Sequence, residues 1–253
     1  MKAKAKVNIF LKIIGFDNRG YHLLNSRFVL LDTLYDELIL VDEKQKEGFE
    51  LISDFKCEDN IINKAYCLLC REGFENELKE FFSKKSLKLI KNIPTCAGLG
   101  GGSSDAVAFL MMMNEELNLK ISKEKMLRLS VKLGSDLAFF LSGAKSANVK
   151  GCGEVIEEFE DELAPFELHF PNIACETAKV YKEFDKQKSD FNQALKEAKI
   201  YEKLSTKELL ECENLALNDL FAPCVRLYPK MSEFLEKGYF LSGSGSSVFK
   251  AKV

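Results

Sequence analysis

Apolar and polar positions alternate along residues 3–14, which is the most regular pattern near the N-terminus. One set of alternate positions is apolar and consists of Ala3, Ala5, Val7, Ile9, Leu11 and Ile13. The other set consists of Lys4, Lys6, Asn8, Phe10 and Lys12. Because successive side chains of a strand point to opposite faces, this period of two predicts a half-buried β-strand. Lys6 and Asn8 are therefore expected to share one face of that strand.

Further apolar segments predict a mixture of strands and helices. Strands are predicted at residues 26–34, 38–41, 49–52 and 86–90, and helices at residues 60–71, 106–113 and 123–133. Residues 182–220 have a charged helical pattern, with core contacts expected at Phe184, Phe191, Leu195, Ile200 and Leu204. The chain closes with a predicted strand, glycine turn and strand over residues 239–249. Because strands and helices do not alternate regularly, the pattern favours an α+β arrangement over a doubly wound sheet.

Four glycines in five positions mark the most informative segment, Pro94-Thr95-Cys96-Ala97-Gly98-Leu99-Gly100-Gly101-Gly102-Ser103-Ser104-Asp105-Ala106. The apolar run that follows predicts a buried helix with Ser103 or Ser104 as its N-cap. A glycine loop that leads into a helix directs several backbone N–H groups at one point, where the helix dipole favours negative charge. The segment therefore indicates a phosphate-binding loop, with a tight glycine turn as the alternative. It differs from the usual P-loop because no lysine precedes its serines.

The bulk composition limits the partners and the cellular setting. The chain has 253 residues, of which 46% are hydrophobic, and this suffices for one large or two small domains. Its net charge of -3 argues against a nucleic-acid partner. No apolar stretch has the length of a membrane span, so no membrane partner is expected. Asn8 and Lys12 interrupt the apolar run after the N-terminal lysines, and no cleavage site follows, so a cytoplasmic protein is expected.

The cysteines are scattered, and reduced thiols are expected rather than a disulfide framework. They are Cys57, Cys67, Cys70, Cys96, Cys152, Cys175, Cys212 and Cys224. Cys67 and Cys70 form a single C-x-x-C pair within a helical pattern, which is weak evidence for zinc. Buried small apolar residues are the favoured interpretation of this pair.

Three segments together resemble the three motifs of the GHMP small-molecule kinases. They are the first strand with Lys6 and Asn8, the glycine loop, and the late segment Ser242-Gly243-Ser244-Gly245-Ser246-Ser247. Further segments narrow the resemblance to the branch that acts on 4-diphosphocytidyl-2-C-methyl-D-erythritol. They are Gly20-Tyr21-His22, Glu58-Asp59-Asn60-Ile61-Ile62 and Gly134-Ser135-Asp136. The resemblance covers nearly the whole chain.

This resemblance implies a two-lobed α+β GHMP kinase fold, with a ribosomal-protein-S5-domain-2-like N-terminal lobe and a ferredoxin-like C-terminal lobe. Residues 1–158 would form the ATP-binding domain, and residues 159–253 would contribute to substrate binding. The implied reaction transfers the γ-phosphoryl group of ATP to the 2-hydroxyl of 4-diphosphocytidyl-2-C-methyl-D-erythritol, in non-mevalonate isoprenoid precursor biosynthesis. Two alternatives remain open, a GHMP kinase for another small alcohol such as mevalonate or homoserine, and a non-catalytic nucleotide-binding protein.

Site residues are implied position by position. Asp136 is the implied general base and Lys6 its cationic partner, and ATP and Mg²⁺ are the implied cofactors. The positions implied for ATP are Asn60, Lys91, Pro94, Cys96, Ala97, Gly98, Leu99, Gly100, Gly101, Gly102, Ser103 and Ser104. Ser104 is also the implied metal contact. The positions implied for the small-molecule substrate are Asn8, Tyr21, His22, Thr177, Tyr181 and Gly243.

Structural alternatives remain for several of these residues. Asp136 after Gly-Ser suits a helix cap or turn, and Asn60 suits a helix N-cap. Tyr181 suits an aromatic residue of a helix core, and Gly243 suits a plain hairpin turn. Cys96 departs from the family pattern, in which Gly or Ala is common at its position.

Overall fold

The alternating N-terminal pattern forms the first strand, and strands and helices then follow in an irregular order. The computed structural model describes residues 1–44, 46–55, 60–161 and 165–252. The strands in this part of the chain are β1 (Lys2–Phe16), β2 (His22–Val41), β3 (Leu51–Ile52), β4 (Ser86–Ile90), β5 (Ser146–Gly151), β6 (Val155–Glu158), β7 (Phe166–His169), β8 (Phe240–Leu241) and β9 (Val248–Ala251). The α-helices are α1 (Ile61–Leu69), α2 (Glu75–Phe82), α3 (Gly101–Glu116), α4 (Lys123–Ser130), α5 (Leu137–Ser142), α6 (Thr177–Phe184), α7 (Phe191–Tyr201), α8 (Thr206–Leu209), α9 (Asn214–Leu217), α10 (Phe221–Leu227) and α11 (Ser232–Glu236).

Two compact units alternate along the sequence. Unit 1 consists of Met1–Ala5, Leu31–Ile93 and Gly100–Gly143. Unit 2 consists of Lys6–Leu30, Pro94–Leu99 and Ala144–Val253. The strands β1 and β2 therefore contribute residues to both units. The boundary expected after residue 158 would give two domains that are each one continuous segment of the chain, and it stays a prediction.

Unit 1 packs helices against a small sheet. Residues 37–41 of β2 pair antiparallel with β4, and β4 pairs in parallel with β3. Helix α3 lies within the core, and every side chain from Ser104 to Leu110 is buried. The core includes apolar residues of α1, α2 and α5, among them Ile62, Phe82 and Leu137. The predicted strand at residues 86–90 and the buried helix after the glycine loop are confirmed.

The first turn of α3 differs from its prediction. The N-cap is Gly100, so the prediction of Ser103 or Ser104 as N-cap is wrong. Gly100 adopts a left-handed φ of 69°, and a Cβ on Gly101 would lie 2.9 Å from Ile93 Cγ2. Because glycine has no Cβ, the helix can begin at Gly101 and place both serines inside its first turn.

Unit 2 contains two groups of paired strands. Residues 24–29 of β2 pair antiparallel with β5, which pairs antiparallel with β6. A separate three-stranded sheet has the order β7-β9-β8, and both of its pairings are antiparallel. The turn between β8 and β9 confirms the predicted strand, turn and strand near the C-terminus. Apolar residues of β1, α6, α10 and this sheet form a core that includes Leu11, Val180, Phe221 and Val248.

Two of the core contacts predicted for the charged helical region, Phe184 and Ile200, differ in their burial. Phe184, at the end of α6, is buried as predicted. Ile200 on α7 is 58% exposed, so its predicted core contact is wrong. The buried residue of α7 is Ala198. Because residues two positions apart point to nearly opposite sides of a helix, Ile200 faces away from the buried side.

The cysteine prediction is partly corrected. Cys67 is exposed and Cys70 is half-buried, so the expectation that both are buried is wrong. Cys57 lies outside the described residues. Among the residues that the structure describes, no cluster of three or more His, Cys, Asp or Glu side chains could hold a metal ion.

Within the described ranges, no helix combines the length and the apolar character needed to cross a lipid bilayer.

Candidate active site

Lys6 lies on β1 in unit 2, and its charged side chain is buried. Its Nζ donates to Asn8 Oδ1 at 2.6 Å and to the carbonyl oxygen of Gly98 at 3.0 Å. The ammonium also lies over the Phe28 ring, 4.5 Å from the ring centroid. Because a buried ammonium is costly unless it is hydrogen-bonded, these contacts hold the positive charge in place. The predicted common face of Lys6 and Asn8 is confirmed, and Lys6 lies beside the glycine loop.

Asn8 links β1 to the late turn, which we define as residues 242–247. Asn8 N donates to Ser242 Oγ at 3.3 Å, and Ser242 Oγ donates to the carbonyl oxygen of Gly98 at 2.9 Å. Asn8 Nδ2 donates to Ser26 Oγ on β2 at 3.0 Å. Protein partners thus hold both ends of the Asn8 amide. The contact of Asn8 with substrate stays a prediction.

The late turn packs directly against the first part of the glycine loop. Gly98 has a φ of +75°, and a Cβ there would lie only 2.0 Å from the carbonyl oxygen of Ser242. Ser247 N donates to the carbonyl oxygen of Ala97 at 3.1 Å. The turn therefore does more than join β8 to β9, because it supports the loop backbone. The substrate contact of Gly243 stays a prediction.

The other loop residues predicted for ATP differ in their exposure. Ala97 and Leu99 are buried, whereas Cys96 and Gly102 are exposed and Pro94 is half-buried. Cys96 has a φ of 53°, a left-handed conformation that residues with a Cβ rarely adopt. The buried residues shape the path of the loop, and the exposed ones leave its backbone accessible. Their contacts with ATP stay predictions.

The first turn of α3, in unit 1, has the geometry of an anion site. Gly101, Gly102 and Ser103 occupy its first positions, and Ser104 N donates to the carbonyl oxygen of Gly100 at 2.9 Å. The first N–H groups of a helix have no acceptor within the helix, and the positive end of the helix dipole lies there. This arrangement suits a phosphate group.

Lys91 is held by two carboxylates of unit 1 just before the glycine loop. Its Nζ donates to Asp36 Oδ2 and, at 2.8 Å, to Asp105 Oδ2. Asp36 Oδ1 accepts from the backbone N–H groups of Asn92 at 2.6 Å and Ile93 at 2.8 Å. The cluster fixes the segment between β4 and the glycine loop. The contact of Lys91 with ATP stays a prediction, and the partners that the structure gives Lys91 are these carboxylates.

Two supporting residues were missed by reasoning from the sequence. Asp36 lies inside β2, and no local pattern distinguishes it from other strand residues. Asn218 Nδ2 donates to the carbonyl oxygens of Leu241 and Gly243, both at 2.9 Å, and so supports the late turn. Asp105 could have been recognised as a supporting residue, because an acid directly follows the serines of the glycine loop.

Burial raises the pKa of Asp105 from its ordinary value of 3.8 to about 7. The Lys91 ammonium opposes this shift, while Asp36 adds to it because two nearby negative charges disfavour each other. Asp105 Oδ1 is buried and has no hydrogen-bond partner in the described chain. The carboxyl group therefore becomes charged only near neutral pH.

Replacing Asp105 with Asn is expected to remove one pH-dependent contribution to stability. At pH values between the ordinary pKa of 3.8 and about 7, Asp105 keeps its proton in the folded chain but has lost it in the unfolded chain. The contribution of Asp105 to the free energy of unfolding therefore falls as the pH rises through this window. Asn cannot ionise, so the melting temperature of Asp105→Asn relative to wild type should increase from about pH 5 to about pH 8. Thermal melting at both pH values measures this difference. Asp42→Asn, at an exposed carboxylate, is the control for loss of a charge, and a difference for Asp105→Asn that stays constant with pH would contradict the prediction.

Asn60 and Asp136 both lie at helix N-termini in unit 1. Asn60 is the N-cap of α1, and its side chain accepts from Ile62 N at 2.9 Å, which supports the capping alternative. Asp136 occupies the N-cap position of α5, but its side chain makes no capping bond within the described chain. Ser135 Oγ lies 3.4 Å from Asp136 Oδ1. The helix-cap alternative thus agrees with the position of Asp136, but the carboxylate does not make the hydrogen bond that a capping residue makes. Of the motif around Asn60, Glu58 and Asp59 lie outside the described residues.

Two of the residues predicted for the base of the substrate, His22 and Tyr181, come together in unit 2. The His22 ring lies 4.7 Å from the Phe16 ring and 4.7 Å from the Tyr181 ring, measured between centroids. Tyr21 is 63% exposed, and the Arg19 guanidinium lies over its ring, 5.1 Å from the centroid. Thr177 Oγ1, at the start of α6, is hydrogen-bonded to Ser244 Oγ of the late turn at 2.9 Å. The aromatic surface of unit 2, formed by Phe16, His22 and Tyr181, offers rings of the kind that stack on a flat heteroaromatic group.

These motifs and the fold define a small-molecule kinase of the GHMP class. The family model for the GHMP kinases N terminal domain matches residues 60–144. A solved crystal structure of 4-(cytidine 5'-diphospho)-2C-methyl-D-erythritol kinase is 26% identical, with 98% of this chain and 88% of that chain covered and a TM-score of 0.71. The expected α+β GHMP kinase fold is confirmed by this likeness.

The sequence relatives identify the branch within that class. A relative from Campylobacter jejuni subsp. doylei named 4-diphosphocytidyl-2-C-methyl-D-erythritol kinase is 62% identical over 253 residues, covering 99% of both chains. A relative of the same name from Sulfurimonas denitrificans is 44% identical over 260 residues, covering 99% of this chain and 96% of its own. The chain belongs to the 4-diphosphocytidyl-2-C-methyl-D-erythritol kinase family, and it is a small-molecule kinase that uses ATP.

Proposed function

We propose that this chain transfers the γ-phosphoryl group of ATP to the 2-hydroxyl of 4-diphosphocytidyl-2-C-methyl-D-erythritol, in the cytoplasm and as a step of isoprenoid precursor biosynthesis. The observation that carries the proposal is the buried Lys6 ammonium, which is hydrogen-bonded to Asn8 and to the carbonyl of Gly98 in the glycine loop. A desolvated cation beside a phosphate-binding loop suits a reaction that gathers negative charge. The names of the relatives support this choice of acceptor.

The first turn of α3 binds the phosphates of ATP in this proposal. Its backbone N–H groups and the exposed backbone of Gly102 provide donors without a bulky side chain. Phosphoryl transfer needs alignment of the two oxygens and neutralisation of charge more than it needs covalent help from the protein. The glycine loop provides the alignment, because the late turn packs against its backbone at Ala97 and Gly98. Asn60, Lys91 and the other loop residues named above complete the proposed ATP site.

Asp136 and Lys6 carry out the proton and charge steps in this proposal. Asp136 accepts the proton of the acceptor hydroxyl while the new O–P bond forms and the bond between phosphorus and the ADP oxygen breaks. Lys6 stabilises the negative charge on the transferred group. ADP leaves with the electron pair of the broken bond.

Mg²⁺ is the proposed metal, and the residues of the α3 first turn fit it. They offer hard oxygen donors in the hydroxyls of Ser103 and Ser104, which are the kind of ligand that Mg²⁺ prefers. Because Mg²⁺ keeps several waters and binds largely through substrate phosphates, Ser104 suffices as the proposed protein contact. The ion supplies charge neutralisation on the phosphate oxygens.

The cytidine end of the substrate lies against the aromatic surface of unit 2 in this proposal. Tyr21 and Tyr181 stack on the base, and His22 contacts its polar edge. Asn8 also contacts the cytidine end, and Thr177 and Gly243 contact the remainder of the substrate. An acceptor without a base would have no flat ring to place against this aromatic surface.

An acceptor panel tests the proposed function. Purified protein is offered ATP, Mg²⁺ and, separately, 4-diphosphocytidyl-2-C-methyl-D-erythritol, mevalonate and homoserine, and ADP release is measured. We expect turnover with the cytidine-containing acceptor. Turnover confined to mevalonate or homoserine would show a different acceptor specificity. ATP binding with no turnover of any acceptor would instead indicate a non-catalytic nucleotide-binding protein.

A further inference from the structure

His22 is hydrogen-bonded to a carboxylate that the proposed function does not yet use. Its Nε2 lies 2.7 Å from Asp185 Oδ1, and the two residues are 163 positions apart in the sequence. An ionised carboxylate can only accept a hydrogen bond, so Nε2 must be the nitrogen that donates. In a neutral imidazole one ring nitrogen donates and the other accepts. In the neutral ring, the contact with Asp185 therefore favours the form in which Nδ1 is the acceptor.

The surroundings of His22 keep the ring in this orientation. Phe16 and Tyr181 lie on it with centroid distances of 4.7 Å each, and Phe184 lies at 6.1 Å nearly edge-on. A flip of the ring about the Cβ–Cγ bond would put the Cε1 carbon in the place of Nε2 and so remove the bond to Asp185. The His22 side chain is only 17% exposed, whereas that of Asp185 is 39% exposed.

Helix α6 holds Asp185 and one of the ring neighbours together. Asp185 is the C-cap of α6, and its backbone N donates to the carbonyl oxygen of Tyr181 at 3.0 Å. Tyr181 thus contacts the His22 ring from the same helix turn that places the carboxylate. One helix therefore places both the Tyr181 ring and the carboxylate against His22, while Phe16 contributes its ring from β1.

Cytosine and uracil differ in the group that an acceptor nitrogen would meet. Cytosine carries an amino group at its 4-position, which donates, whereas uracil carries a carbonyl oxygen there, which accepts. We propose that Asp185 is a positioning residue that fixes His22 as the hydrogen-bond acceptor for the amino group of cytosine, and so makes the enzyme prefer cytidine to uridine substrates. The inference rests on the proposed function, in which His22 contacts the base.

The ring state of His22 can be observed without any turnover. His22 and His169 are the two histidines of the chain, so a ¹⁵N-histidine-labelled sample contains two imidazole rings, and His169→Gln assigns them. At a mildly alkaline pH, where an imidazole is neutral, we expect long-range ¹H–¹⁵N spectra to show His22 with its proton on Nε2. A proton on Nδ1 in the wild-type chain would overturn the inference, whatever the activity.

Asp185→Asn separates the choice of tautomer from simple tethering. The Asn amide can accept from Nε2 or donate to it, so the contact can persist while the ring is free to take either form. We expect the ratio of kcat/KM for the cytidine substrate over its uridine counterpart to fall by about tenfold or more, with most of the kcat for the cytidine substrate retained. Thermal melting confirms that the variant is folded.

Asp190→Asn is the matched control, because it removes the same charge from a nearby residue. Asp190 caps α7 through bonds to Asn192 N and Gln193 N, a role that Asn also performs well, so its base ratio should equal that of wild type. An unchanged ratio in Asp185→Asn, or an equal loss for both substrates, would overturn the role of Asp185. An inactive wild type with the cytidine substrate would instead contradict the proposed function itself.

Discussion

Replacing Asp136 with Asn is expected to lower kcat by about 10²- to 10⁴-fold while leaving ATP affinity unchanged. Asn has nearly the same shape as Asp but cannot take the proton of the acceptor hydroxyl. Asp136 lies at the start of α5, outside the glycine loop and the first turn of α3, which are proposed to bind the phosphates. Steady-state kinetics with the cytidine-containing acceptor and a separate titration of ATP measure the two quantities.

Asp42→Asn provides the control for this substitution. Asp42 is also in unit 1, its side chain is 90% exposed, and its ion partner is Lys85. Because such surface pairs contribute little, this variant should keep wild-type kinetics. Turnover of Asp136→Asn close to that of the control would remove Asp136 as the general base, and parallel loss of ATP binding would assign it to the nucleotide site.

Gly98→Ala is expected to cost about 3 kcal/mol or more of stability and to abolish most of the activity. A Cβ at this position would lie 2.0 Å from the carbonyl oxygen of Ser242, and backbone atoms cannot move aside as a flexible side chain can. The glycine loop and the late turn would have to separate. Since the carbonyl of Gly98 also accepts from Lys6 Nζ, the ammonium would lose one of its partners. Denaturant unfolding and kcat measure the two effects.

Gly238→Ala separates the clash from the cost of the backbone conformation. Gly238 has a φ of +74°, nearly that of Gly98, but a Cβ there would have no atom within 4 Å. Its expected cost is therefore about 1 kcal/mol, the penalty of a left-handed residue alone, and its activity should be retained. Equal losses of stability in the two variants would show that the contact with Ser242 is unimportant.

Local patterns in the sequence predicted much of the framework that surrounds the site. The alternation along β1 placed Lys6 and Asn8 on one face, because the period of two is a property of any extended strand. The glycine loop and the buried helix after it were predicted because glycine and apolar residues restrict the backbone locally. The N-cap of α3 was predicted incorrectly, because Gly100 adopts a left-handed φ and Gly101 has no Cβ to clash with Ile93, so the helix begins before the serines.

The partners of the charged and polar site residues could not be predicted in the same way. The structure holds the Lys91 ammonium between Asp36 and Asp105, and neither carboxylate is indicated by the sequence around Lys91, whose contact with ATP stays a prediction. His22 had been expected to contact the base, and nothing near it in the sequence indicates Asp185. The same holds for Asn218, which supports the late turn from a separate segment.

The sequence by itself thus determined the glycine loop and the helix after it, the strand that carries Lys6, the class of the fold and the resemblance that indicates the acceptor. Only the tertiary structure decided that Lys6 is buried against Gly98, that the late turn supports the loop, and that His22 Nε2 lies next to the Asp185 carboxylate. The physical reason is the range of the interactions. Backbone conformation and periodicity depend on neighbours along the chain, whereas the partner of a buried charge or a ring nitrogen depends on which distant segments pack against it.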